Sequence, residues 1–215
     1  MQMSGLLSFG HSNHEVDFFL RLLTGTGVTA VVDVRSHPFS KRLPQYDRSN
    51  LEAALRSREV DYIFLGALLG GRPARRALYD DEGRVDYEKV RATDDFSDGL
   101  DELIRCSKKC TVAFLCSEED PLDCHRGLMI TPALVERGIS PSHLRKDGRV
   151  QTTREMEQEL LERTGVAEGV HNGLFADLVS KEDRRCDLTE AYRRMARRKA
   201  FRMPDAEAWN VVDSD

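Results

Sequence analysis

Long apolar runs are missing from this 215-residue chain, and no stretch approaches the ~20 residues needed to cross a bilayer. No signal peptide opens it, so a cytoplasmic protein with no membrane partner is expected. Cysteine is scarce and odd in number, at five, which argues against a disulfide framework and for reduced thiols. A basic excess is also absent: the net charge is −5, so contact with nucleic acid would need a local patch. What remains is ordinary for a globular protein, 40% hydrophobic and 32% charged, and enough for one cored domain with an appendage.

Strand-like and helix-like segments alternate. Leu6–Phe9 reads as a first strand, ending at Gly10-His11. Ser12 and Glu15 have capping-box spacing, and Val16, Phe19, Leu20 and Leu23 follow with helical period. Thr29–Arg35 is a second strand rich in β-branched residues, and the strand-helix-strand order forces parallel pairing. A second capping box, Ser49 with Glu52, predicts a helix through Arg58, and Val60–Leu65 a third strand. Thr111–Leu115 is a fourth, and Ser142–Arg145 a short last strand before an Asp147-Gly148 turn. Thr152 and Glu155 cap a final core helix. The expected fold is a three-layer α/β sandwich with about five mainly parallel strands over residues 4–165. Residues 166–215 are read as a charged, partly helical C-terminal extension.

The stretch from Cys116 to Arg126 carries the most chemistry. A thiol ends the fourth strand, and Asp120-Pro121 reads as an N-cap followed by proline at the first helical position. Cys124, His125 and Arg126 then fall in or just after a first turn, at the sheet edge where open α/β folds bind ligands. A cysteine near a helix N-terminus and a histidine can be held as thiolate, so Cys116 and Cys124 are both candidates and might pair in redox chemistry. Equally, each can be a small buried core residue. Cys106, Cys110, Cys116 and Cys124 invite a zinc reading, but the strand after Cys110 separates it from Cys116 by roughly 20 Å. A smaller set, His11 with Cys116 and either Cys124 or His125, is the residual option. No metal ligands are assigned, and the cofactor is left unknown.

Other strand ends add polar groups. Asp33 sits in an apolar run and needs a partner; Arg35 is expected to point to the opposite face of the strand, which leaves His11, a loop arginine or backbone N–H groups. Arg35, Arg42 and Arg126 are expected to converge on the same edge, as suits a phosphate or carboxylate. Tyr46 would stack on a base or anchor its loop. The segment from Tyr192 to Arg202 holds six basic residues among Tyr192, Met195 and Phe201, which would contact a phosphate backbone or lie as a solvated helix on the core.

Several separated motifs occur together: Phe9-Gly10-His11-Ser12-Asn13, Val32-Asp33-Val34-Arg35-Ser36, Pro44-Gln45-Tyr46, Leu115-Cys116 and Cys124-His125-Arg126. In this the chain resembles the bacterial and archaeal family called domain of unknown function 488, from about Leu6 to Leu161. The resemblance implies an α/β domain in which His11, Asp33, Arg35, Cys116, Cys124, His125 and Arg126 form one site, and it supplies no reaction. A weaker likeness is to rhodanese-type sulfurtransferases, although Glu118, Glu119, Asp120 and Asp123 would repel an anionic sulfur donor.

Three functional classes follow. The first is an enzyme acting on a nucleotide or nucleic-acid-linked phosphorylated substrate, with Arg35, Arg42, Tyr46, Cys124 and Arg126 binding it. In that reading His11, Asp33, Cys116, Glu118 and His125 do the chemistry. The second is a rhodanese-like or redox thiol enzyme using Cys116. The third is a non-catalytic anion- or protein-binding domain.

Overall fold

The apolar runs pair into a six-stranded sheet in the order β3-β2-β4-β1-β5-β6. The strands are β1 (Leu6–Gly10), β2 (Ala30–Asp33), β3 (Asp61–Phe64), β4 (Val112–Cys116), β5 (Ser142–Leu144) and β6 (Val150–Thr152). The structure, a computed structural model, describes residues 5–166 and 180–203. All neighbouring strands are parallel except β5 and β6, which pair as an antiparallel hairpin around the Asp147-Gly148 turn. The strand β6 is an addition to the expected set. Its Val-Gln-Thr sequence is too short and polar to stand out from the turn before it and the helix cap after it.

Because β1, β2 and β4 are buried along their whole length, alternate residues feed two cores. One, from Leu7, Phe9, Val31, Ala113 and Leu115, packs against α1 (Val16–Thr24) and α2 (Arg48–Arg56). The other, from Leu6, Val32, Val112, Phe114 and Cys116, packs against α5 (Asp94–Ser107), α6 (Thr131–Glu136), α7 (Thr153–Thr164) and α8 (Lys181–Lys199). The short helices α3 (Gly66–Leu69) and α4 (Tyr87–Arg91) complete that face. The chain thus leaves β1 and β2 towards one face and β4 towards the other. Such a reversal opens a crevice at the carboxyl ends of the strands.

Local starts differ from the capping boxes in two places. Glu15 precedes α1 without a side-chain cap; Ser12 instead adopts φ 50° and its N–H bonds the Ser117 carbonyl at 2.7 Å. For α2 the N-cap residue is Asp47, not Ser49, and the helix ends at Arg56. The Thr152–Glu155 box is formed as expected. The chain after His125 winds first as a π turn, Arg126–Ile130, which gives way to α6 where Pro132 has no N–H to donate.

The charged C-terminal part is helical, and α8 is seated on α7, with Ala191 and Met195 buried in the larger core. Past it, Phe201 and Met203 hydrogen-bond to Val85 and Gly83 at 2.9 Å each, fastening the chain across the sheet edge.

Candidate active site

The end of β2 is built around a buried carboxylate. Asp33 accepts hydrogen bonds from Arg35 Nε at 2.9 Å, Arg35 Nη2 at 2.6 Å, the Arg35 backbone N–H at 3.0 Å and Tyr62 Oη at 2.8 Å. This corrects the expectation that Arg35 faces away. Residues two apart in extended backbone share a face, and the chain stays paired past Asp33, with the Val34 N–H on the Leu115 carbonyl at 3.0 Å, so the guanidinium lies on the carboxylate's side. Arg35 Nη1 donates to the Tyr46 carbonyl at 2.8 Å and to His11 Nε2 at 3.2 Å. His11 Nδ1 lies 2.7 Å from the Ser12 carbonyl, which can only accept, so Nδ1 carries the proton and Nε2 the lone pair. Burial and the Arg35 charge hold the His11 pKa down at about 4, and the ring is neutral near pH 7. Tyr46 stacks on it at 4.0 Å between centroids and ties its hydroxyl to the His14 carbonyl at 3.0 Å.

The thiols meet at the end of β4. His125 Nε2 lies 3.0 Å from the Val34 carbonyl, so that nitrogen is the donor and Nδ1 is left facing the sulfurs. Nδ1 is 3.6 Å from Cys116 Sγ and 3.7 Å from Cys124 Sγ. Cys116 also donates to Glu118 Oε2 at 3.2 Å. Burial alone would raise the Cys124 pKa. A hydrogen bond from Cys116 and the charges of His125 and Arg126 outweigh it and hold that thiol well below the usual range. Cys116 moves the opposite way: its interaction with Cys124, burial and the charge of that neighbour push it well up. Glu118 is raised by burial and the Cys124 charge. His125 is raised despite burial, because Cys124 stabilises the imidazolium. The arrangement sets a thiol shifted down and an imidazole shifted up side by side, with a second thiol and a carboxyl, both shifted up, next to them.

Backbone approach fixes these groups. A Cβ at Gly71 would stand 2.8 Å from the His125 ring, and one at Gly10 would overlap the Glu118 carbonyl, so glycine is required at both. Arg126 is fully buried and donates to the Glu118 and Glu119 carbonyls, shaping the loop from behind.

A cavity of about 440 Å³ opens over the pair. Of the expected residues, Arg35, Cys116, Glu118, Cys124 and His125 line it. His11, Asp33, Tyr46 and Arg126 are buried and do not line it, and Arg42, exposed on its loop, does not line it either. The expected convergence of Arg35, Arg42 and Arg126 on one ligand therefore does not occur: one is spent on Asp33, one on carbonyls, and one is outside. Residues not singled out for the site also line it, namely Ser36, Gly71, Arg72, Tyr87, Lys199 and Phe201. Lys199 pairs with Asp123 at 2.8 Å, and the Arg72 guanidinium covers the Phe201 ring at 4.5 Å. The basic-aromatic run from Tyr192 contained the signal for two of them; Tyr87 had none.

Among the described residues, Cys116, Cys124 and His125 are the group of side chains able to hold a metal ion together, with ligand atoms within 4.8 Å of one another. The set differs from the one anticipated: His11 is on Arg35, and Cys124 and His125 both take part. Cys106 and Cys110 lie apart, at the end of α5 and just beyond it.

No curated protein and no solved structure matches the chain. Residues 15–131, just over half of its length, match the family described as Domain of unknown function DUF488, a span that holds every cavity-lining residue between Arg35 and His125, and the chain belongs to that family.

Proposed function

We propose that the protein is a cysteine-dependent enzyme in which Cys124, paired with His125, is the nucleophile. The observation that carries this reading is the placement of His125: its outer nitrogen is fixed on the Val34 carbonyl, so that Nδ1 faces both sulfurs at the wall of a cavity. Cys124 Sγ forms a bond to an electrophilic carbon of a small substrate, and the leaving group departs with the proton held by His125. The neutral imidazole then takes a proton from water as the water oxygen bonds to that carbon; the carbon–sulfur bond breaks, its electron pair returns to Cys124, and the pair is restored. In this reading Cys116 is the supporting thiol and Cys124 the reacting one, the reverse of the roles drawn from the sequence alone.

The alternative of a nucleotide or nucleic-acid-linked substrate loses its carriers, since the three arginines do not meet. The basic run of α8 is also laid on the protein itself: Arg193 on Glu88, Arg194 on Glu190, Lys199 on Asp123 and Arg202 on the Glu82 carbonyl. A persulfide cradle of the rhodanese kind is not supported either, because the hydrogen-bonding neighbours of Cys116 are the Glu118 carboxyl and His125 rather than backbone N–H groups. Recognition of an anion or a protein without catalysis would give no reason to aim a histidine at two thiols.

Competitive alkylation with iodoacetamide at neutral pH tests this, read by peptide mass spectrometry. Cys124 is expected to react ahead of the exposed Cys186 despite its burial, and His125→Ala to slow it on the order of tenfold or more. Reaction of Cys186 first, with no effect of His125→Ala on Cys124, would refute the assignment.

A further inference from the structure

We infer that Cys116 Sγ, Cys124 Sγ and His125 Nδ1 form a binding site for a soft divalent cation such as zinc, and that metal occupancy and nucleophilic chemistry at Cys124 are mutually exclusive states of the site. The inference deepens the proposed function and rests on it for the second clause only.

The first argument is distance. Tetrahedral zinc, about 2.3 Å from sulfur and about 2.0–2.1 Å from imidazole nitrogen, sets sulfur and nitrogen roughly 3.5–3.6 Å apart. The structure has Nδ1 at 3.6 and 3.7 Å from the two sulfurs, with all three ligand atoms within 4.8 Å of one another, so both nitrogen–sulfur separations already suit an ion. The second argument is the outer contact. Metal-binding histidines commonly donate their other ring N–H to a carbonyl or carboxylate, which fixes the tautomer and aims the lone pair. The Val34 carbonyl does this at 3.0 Å, and Gly71 packs against the ring beside Cγ and Nδ1.

Ligand chemistry then selects the ion. Two thiolates and an imidazole favour zinc and similar soft ions over magnesium or calcium, which want oxygen. Two thiolates also neutralise a divalent charge in a site where all three side chains are buried, which limits the cost of placing it there. Binding releases the Cys116 proton and the one that His125 shares with Cys124, so atoms and charge balance. Because both sulfurs line the cavity, a fourth position is left towards solvent. Once the Cys124 lone pair is donated to the ion, it is withdrawn from attack on carbon. The ion therefore acts as a reversible cap.

The test combines cobalt substitution with alkylation of the full chain. One Co(II) per chain is expected, with a thiolate-to-cobalt charge-transfer band that is lost in Cys116→Ser and in Cys124→Ser. Stoichiometric zinc is expected to slow Cys124 alkylation at least about tenfold, with recovery on adding EDTA and no change at Cys186. Should a serine variant fail to fold, zinc protection in the unmodified protein still decides. Fast Cys124 alkylation that ignores zinc overturns the metal site and leaves the thiolate reading intact. A full cobalt spectrum with metal-free Cys124 no more reactive than Cys186 keeps the metal site and overturns the nucleophile.

Discussion

At the scale of residues, Asp33 shows how one buried charge organises a site. A buried ion pair repays desolvation only when its geometry is good and its remaining lone pairs are filled. Here three Arg35 donors and Tyr62 fill the carboxylate, and Arg35 carries the order onwards to His11 and the Tyr46 carbonyl. Val34, between Asp33 and Arg35, supplies the carbonyl that holds His125. Asp33→Asn leaves the guanidinium buried against a neutral amide, and a loss of about 3–5 kcal/mol in unfolding free energy by urea titration is expected. A loss under about 1 kcal/mol would mean that the pair is replaceable. The sequence marked Asp33 as needing a partner because a carboxylate interrupted an apolar strand. The partner was misjudged, because residues two apart in extended backbone share a face and Arg35 therefore lies on the Asp33 side. The convergence of arginines failed for a different reason: a basic side chain near a strand end can be consumed by carbonyls, as Arg126 is, and composition does not show where carbonyls point.

The element least legible in advance is α8. Its charge drew attention, yet Leu188, Ala191, Tyr192, Met195 and Ala196 recur with helical spacing and form the stripe that packs on the core. The charges outside that stripe pair with α4 and with α8 itself, so a helix of low hydrophobicity can still complete a core. Its end delivers Lys199 and Phe201 to the cavity wall, which makes a segment outside the family match part of the site. Met195→Asp puts an unpaired carboxylate where a side chain is 3% exposed, and a drop of about 3 kcal/mol or more is expected in the same titration. A near-neutral result would show that α8 does not belong to the cooperative unit. Elsewhere the elements were easier to read, since β1, β2, β4, α1 and α5 carry strong periodicity. The π turn and β6 were not readable, because neither has a period of its own over three to five residues.

For the whole molecule, the alternation of strands and helices was enough to place the site at the carboxyl edge of the sheet, because parallel connections leave β4 and its neighbours on opposite faces. That same tight packing around the central strands has a global pH consequence. His11 and His143 are both buried among arginines, and their pKa values fall from 6.5 to about 4 and about 3. The folded state therefore keeps both rings neutral, while the unfolded chain takes up two protons near pH 6.5. Depressed histidine pKa values mean that stability is fully present above 6.5 and is lost as pH falls towards 4, by several kcal/mol for the pair on the order-of-magnitude rule of about 1.4 kcal/mol per unit. His143 meets Ser8 Oγ at 2.7 Å and has no other hydrogen-bond partner among the described residues, so replacing both with apolar groups removes one titration without stranding a partner. Urea midpoints measured from pH 7 to pH 4 are expected to fall steeply in the native chain and with about half the histidine-dependent slope in the Ser8→Ala, His143→Leu double variant. Carboxylates held low, such as Asp120, add a decline of the same sign that is common to both proteins, so the difference between the slopes isolates the histidine. Equal slopes would assign acid sensitivity to the carboxylates alone and remove the buried neutral histidines from the account of stability.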